Sequence, residues 1–123
     1  MKLRPLLQSF AILTTTLALA SHLHAQSQQE MNRQAEADFD KADAELNRVY
    51  KKVMATLDDE GKKKLVASER AWVIYRDAEA SLEADTSRGG SMEPMLYAGT
   101  QAQLTQARIK ALKQLIDADG ATK

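Results

Sequence analysis

Apolar residues recur at alternating steps of three and four along most of this chain, the period of a helix with one buried face. The longest run is Met31, Ala35, Phe39, Ala42, Leu46, Val49, Val53 and Leu57, and it predicts a first helix over about 29–57. A second run, Leu65, Ser68, Trp72, Tyr75 and Glu79, predicts a helix over 59–84 with the single Trp at its centre. A third, Leu96, Tyr97, Leu104, Ile109, Leu112, Leu115 and Ile116, predicts a helix over 92–118. No stretch shows the two-residue alternation of a half-buried strand.

Two interruptions separate these runs. In Asp58-Asp59-Glu60-Gly61, Asp58 is suited to cap a new helix, with Asp59 and Glu60 at its positive end. The connection is short, so the first two helices should be antiparallel neighbours. The second interruption, Asp85 to Ser91, contains Gly89 and Gly90, which permit backbone angles other residues avoid. Ser91 is a suitable cap for the third helix, with Pro94 early enough in its first turn to be tolerated. Gly120 marks the end, and the last three residues are expected to be loose. The fold class that follows is all-α, an elongated antiparallel three-helix bundle. Helices of roughly 25 to 29 residues would each span about 40 Å. Phe39, Leu46, Tyr50, Trp72, Leu104 and Arg108 are its expected structural core.

The first 25 residues differ from the rest. Lys2 and Arg4 give a positive start, Leu6 to Ala20 is apolar apart from Gln8, Ser9 and three Thr residues, and no acid precedes Glu30. This is the layout of a secretory signal peptide. Ala25 is the preferred last residue before cleavage, and Ala18-Leu19-Ala20 is a second candidate. The other reading, an uncleaved anchor, requires a longer and less Thr-rich apolar run. The expected domains are a signal peptide over 1–25 and a helical domain over 26–123, periplasmic or secreted, without a stable membrane span after cleavage. Gln26 to Gln29 should be frayed. Loss of Lys2 and Arg4 leaves 15 basic against 17 acidic residues, a net charge of −2. Such a balance gives no footprint for nucleic acid.

Chemistry is sparse. Cysteine is absent, so neither disulfides nor thiol chemistry is available. Both histidines, His22 and His24, fall in the expected signal peptide, which removes the commonest general base and metal ligand from the mature chain. No spacing singles out two carboxylates for glycoside cleavage, and no phosphate-binding glycine motif is present. The expectation is a protein that is not an enzyme and that has no catalytic residues, cofactor or metal.

The charged groups around Trp72, namely Glu69, Arg70, Arg76 and Asp77, admit two readings. They form intramolecular ion pairs, with Arg108 on the third helix a natural partner, because an Arg in an apolar seam needs a carboxylate. Alternatively, Arg70, Arg76 and Asp77 belong to a recognition patch. Trp72 itself reads as a core anchor or as part of a binding face, where Trp is enriched. Arg88, Gly89, Gly90 and Ser91 are either a plain helix connection or a pliable tip that offers backbone N–H groups to a partner's cleft.

Several short blocks then coincide with a known pattern. Asp43-Ala44-Glu45-Leu46-Asn47-Arg48-Val49-Tyr50 resembles the A-D-x-E-L-N-x-x-Y signature of the LprI-type lysozyme inhibitor domain. Glu69-Arg70-Ala71-Trp72 resembles its Q-R-A-W block with Glu for Gln, and Arg76-Asp77-Ala78 resembles its R-D-A block. Gly89-Gly90-Ser91 and Leu104-Thr105-x-x-Arg108 follow in the family's order. The resemblance covers about Glu30 to Leu115 and implies an exported, helical, non-enzymatic protein whose partner is a lysozyme. It also implies three cysteines, at positions held here by Gln34, Ala80 and Thr100. Loss of such cross-links costs small secreted domains about 2–5 kcal/mol, which longer helices and ion pairs would have to offset.

The resemblance thus implies inhibition of a muramidase by protein–protein contact. Lysozymes are commonly basic, so Asp38, Asp40, Asp43 and Glu45 are expected to form an acidic steering face, with the glycine loop in the cleft. The alternative is a structural or stress-related cell-envelope protein that binds another periplasmic partner and inhibits nothing.

Overall fold

The computed structural model describes residues 6–120, with side-chain surroundings described for 20–118. Three α-helices follow one another: α1 (Leu6–Thr56), α2 (Asp59–Ala84) and α3 (Glu93–Gly120), with a 3-10 turn at Asp85–Ser87. The all-α three-helix bundle expected from periodicity is what the chain forms. Lys2, Arg4 and the three C-terminal residues lie outside the described residues.

The α1–α2 boundary follows from local chemistry. Asp58 is extended at its backbone, and its carboxylate accepts a hydrogen bond from the Gly61 N–H at 2.8 Å. That bond satisfies one of the donors a helix start leaves free. Asp59 and Glu60 occupy the first turn, where the helix dipole favours negative charge.

The start of α1 departs from expectation. Gln26 to Gln29 is helical and not frayed, and α1 runs unbroken from Leu6. The reason is the lack of a breaker, because neither Gly nor Pro occurs between Leu6 and Thr56. Ala20 to Ser27 is exposed throughout, with His24, Ala25 and Ser27 bordering an open cleft beside Ser91, Met92 and Pro94.

Packing between the helices is uneven. Backbones approach closely between α1 and α3 and between α2 and α3, whereas α1 and α2 stand further apart. Short connection length therefore gave the right direction but not the closest pair. The cause lies in side-chain size. On α3 the buried residues Ala98, Ala102 and Thr105 are small and admit a neighbouring helix. Between α1 and α2 stand Phe39, Trp72 and Arg76, which hold the axes apart and fill the space themselves.

The aliphatic core is Leu46, Val49, Val53, Leu65, Ile109 and Leu112, with Tyr50, Met54, Leu57, Trp72 and Ile116 packed against it. Most of the α1 seam is thus buried or half-buried, except Met31 near its start. The α2 stripe is rotated from the one periodicity suggested. Leu65 is buried, but Ser68 and Tyr75 are exposed, and Arg76, Ala80 and Ala84 face inward instead. On α3, Leu112 and Ile109 are buried as expected, while Leu115 is exposed and Gln101 takes an inward place.

Candidate functional site

Trp72 sits at the junction of the three helices among charged side chains. The Arg76 guanidinium lies 5.2 Å from its ring centroid and 5.0 Å from that of Phe39 on α1. The Arg108 guanidinium, from α3, lies 5.7 Å from the Trp72 ring. Each cation is also paired with acids. Arg76 donates from Nε to Asp77 Oδ1 at 2.8 Å and from Nη1 to Asp43 Oδ1 at 3.3 Å. Arg108 donates from Nε to Glu69 Oε2 at 3.0 Å and from Nη2 to Ser68 Oγ at 2.9 Å. Gln101 on α3 donates to the same Asp77 oxygen at 2.9 Å.

This arrangement explains how an Arg comes to be buried. Arg76 is only 7% exposed. Planar guanidinium stacks on aromatic faces and keeps its edge N–H groups free for carboxylates, so both demands are met together. Asp43 and Asp77 stay partly in water, which keeps the desolvation cost low. Burial pushes the Asp77 carboxyl up, but hydrogen bonds from Arg76 and Gln101 outweigh it and hold the group below its ordinary value.

The candidate recognition residues therefore separate. Arg76 is inside the bundle, a strut between α1 and α2, so it does not belong to an open recognition patch. Asp77 is half-buried and occupied by Arg76 and Gln101. Arg70 points outward and is exposed. Of the expected core residues, Leu46 is buried and Phe39, Tyr50, Trp72, Leu104 and Arg108 are half-buried.

The tip of the bundle is the second site. Arg88, Gly89, Gly90 and Ser91 are all exposed. Gly89 has φ of +73°, a conformation that favours glycine, and nothing lies within 4 Å of where its Cβ would be. Three N–H groups of this tip are engaged within the loop. The Arg88 N–H donates to Asp85 O at 3.2 Å, the Gly90 N–H to Ser87 O at 2.8 Å, and the Gly89 N–H to Glu93 Oε2 at 2.7 Å. The Arg88 guanidinium grips the Asp85 carboxylate with two bonds of 2.6 and 2.7 Å. That bond raises the Arg88 pKa further.

Ser91 is not the cap of α3. The first helical bond there runs from the Leu96 N–H to Met92 O at 3.1 Å, and the Ser91 carbonyl accepts from Asn32 Nδ2 at 3.1 Å. The second contact ties the tip to α1. Asp85 and Glu93, which organise this loop, were not singled out by sequence reasoning. Their signal was present: an acid three residues before Arg88 and another four after Gly89.

The expected acidic face does not assemble. Asp43 turns to Arg76 on α2, while Glu45 pairs with Arg48 and with Lys113 on α3 at 3.2 Å. Those bonds, from Arg48 first and then Lys113, lower the Glu45 pKa. Asp38 borders an open cleft that Glu83 of α2 and Gln103 and Gln106 of α3 also line, and Asp40 is exposed. Residues spaced like these around a helix point in different directions. Among the described residues, no group of three or more His, Asp or Glu is placed to hold a metal ion.

What these features define is a helical domain with an internally hydrogen-bonded tip, its motif residues spent largely on holding three helices together. The model of the lysozyme inhibitor LprI family matches residues 20–112, and the chain belongs to that family. It is 39% identical over 106 residues to an uncharacterized protein of Rhizobium meliloti (strain 1021), with 76% of each chain covered. No solved structure matches. Among the described residues, no helix is long and apolar enough to cross a membrane.

Proposed function

We propose that this chain is an exported inhibitor that binds a lysozyme-type muramidase by protein–protein contact and has no catalytic activity of its own. In this reading residues 1–25 direct export and the bundle works in the periplasm or outside the cell. The observation that carries it is family membership across most of the chain, joined to the tip geometry. A loop whose N–H groups are already bonded internally loses little freedom on binding, and such preorganisation favours affinity. Arg88, Gly89, Gly90 and Ser91 are the contact residues in this proposal, with Met92 beside them as an exposed apolar anchor.

The test is a cell-wall lysis assay with several lysozyme types and purified protein. Slowed lysis that is lost on lengthening the tip, with the melting temperature retained, supports the reading. No slowing at micromolar inhibitor refutes it for those enzymes. Recovery of a different envelope protein from periplasmic extract, with lysis unaffected, would favour the structural or stress-related role.

A further inference from the structure

At the end of the bundle away from the tip, α2 and α3 leave an open groove of about 440 Å³ between them. The buried Leu65 and Leu112 lie along it, and Leu57 and Leu115 border it. Leu115 is 51% exposed, whereas Leu112 and Ile116 beside it on α3 belong to the packed core. The groove therefore holds a large aliphatic side chain that the bundle does not use. Its polar groups are few, namely Lys64, Ser68 and Arg108, and none of the residues lining it is acidic. A mostly apolar concavity with a small number of convergent polar groups is the usual form of a small-molecule site.

The two ends of this groove differ. Arg108 on α3 donates from Nη2 to Ser68 Oγ on α2, which sets these residues level with each other. About two turns away, or about 10 Å at 1.5 Å per residue, stand Leu115 on α3 and Gly61 with Leu57 on the other side. That second end carries no charge among the lining residues. At the first end the cations have capacity to spare. Lys64, one turn from Ser68, is exposed and makes no ion pair among the described residues. Arg108 engages Glu69 and Ser68 through Nε and Nη2, and its Nη1 makes no hydrogen bond among the described residues. Glu69 offsets one of the two positive charges, so this end stays net positive. The Ser68 hydroxyl accepts from Arg108, which leaves its own hydrogen to donate.

We propose that this groove binds a single-chain aliphatic carboxylate. The carboxylate sits at Lys64, Ser68 and Arg108, and the chain runs along Leu65 and Leu112 toward Leu57 and Leu115. Charge selects the class, because a neutral chain leaves the Lys64 and Arg108 donors without an acceptor and a cationic one meets them with like charge. Charge-assisted hydrogen bonds fix the orientation of the headgroup, and removal of the chain from water supplies most of the affinity. The site lies at the opposite end of the bundle from Arg88 to Ser91, so it is independent of which target the tip engages.

Trp72 is a built-in reporter, since it is the only Trp and its ring lies 5.7 Å from the Arg108 guanidinium. Decanoate, titrated below the concentration at which it self-associates into the protein in the form the cell accumulates, should bind saturably with one site per chain and change the Trp72 emission. Decylamine, with the same chain and the opposite charge, should bind at least about tenfold more weakly. Lys64→Glu and Leu115→Gln should each weaken decanoate binding by at least about tenfold. Both side chains are exposed, so the melting transition should not move. Absence of saturable decanoate binding, equal binding of decylamine, or wild-type affinity in either variant would overturn the proposal. Retention on vesicles of anionic phospholipid without decanoate binding would overturn it in favour of a membrane surface.

Discussion

Toward the α1–α2 turn, the bundle is held by Leu46, Val49, Val53, Leu65, Ile109 and Leu112, which are aliphatic and almost fully buried. Toward the tip, the buried residues include Ala42, Ala80, Ala84, Ala98, Ala102 and Thr105, with Arg76 and Gln101 among them. One half excludes water by aliphatic packing, whereas the other brings backbones together over alanines and fills the remaining space with stacked, paired cations. The first depends on volume and tolerates any residue of the right shape. The second depends on partners in three helices, so its residues are not interchangeable by shape alone. In the second half lie Asp43, Arg76, Asp77 and Ala80, which the resemblance singled out, and Trp72, Glu69 and Arg108 stand at the junction.

Leu112, 1% exposed, carries the largest single share of the aliphatic half. Leu112→Ala should destabilise the protein by about 3–4 kcal/mol, through lost burial and a residual cavity. Denaturant unfolding measures it, and Leu112→Met should recover most of the loss. Trp72→Ala comes next, at about 2–3 kcal/mol, below the fully buried range because the ring is half-buried. Here Trp72→Leu should recover less than Leu112→Met does, since an aliphatic side chain offers no π face to Arg76 and Arg108.

Arg76→Ala should cost about 2 kcal/mol, as Asp43 and Asp77 lose their cation but retain access to water. Arg76→Lys should restore less than half, since an ammonium cannot stack on Phe39 and Trp72 while reaching both carboxylates. If Lys substitutes fully, the contrast between the halves is only one of packing volume. Gly89→Ala should cost about 1 kcal/mol because of its left-handed backbone, despite open space around it. Melting temperature reports this change, which touches the tip and neither half of the core.

The smallest effect depends on pH. The folded-state pKa of Asp77 is depressed, so its stabilisation is present above the ordinary carboxylate range and is lost as pH falls through the folded value. Asp77→Asn should lower stability by less than about 1 kcal/mol near neutrality, given the partial exposure of the group. The gap from wild type should close as pH falls below the ordinary carboxylate range and through the folded value. A gap that stayed constant would assign Asp77 a packing role alone.

Much of this architecture could be read from local pattern. Asp58 stops one helix and starts the next through its own side chain, and α2 spans Asp59–Ala84 as expected. The α1 seam was legible because Ala42, Leu46, Val49 and Val53 are apolar and bury as a set. The α2 face was not, because the pattern counted Arg76 as polar and Tyr75 as apolar. Burial reversed both: Arg76 is inside and Tyr75 is 53% exposed. Likewise the glycines at the tip left a plain connection and a pliable tip equally legible, whereas Asp85 and Glu93 bond the loop internally.

Three helices, the break at Asp58, the end of α2 at Ala84 and membership in the LprI lysozyme inhibitor family are legible in the chain, since capping, periodicity and short motifs are local properties. Tertiary structure alone decided which side of α2 faces in, that α3 packs closely on both neighbours, and that the motif charges hold the bundle together. Whether an Arg is buried depends on rings and carboxylates brought to it from other helices. For Arg76 these include Phe39 and Asp43, whose distance along the chain no local pattern records.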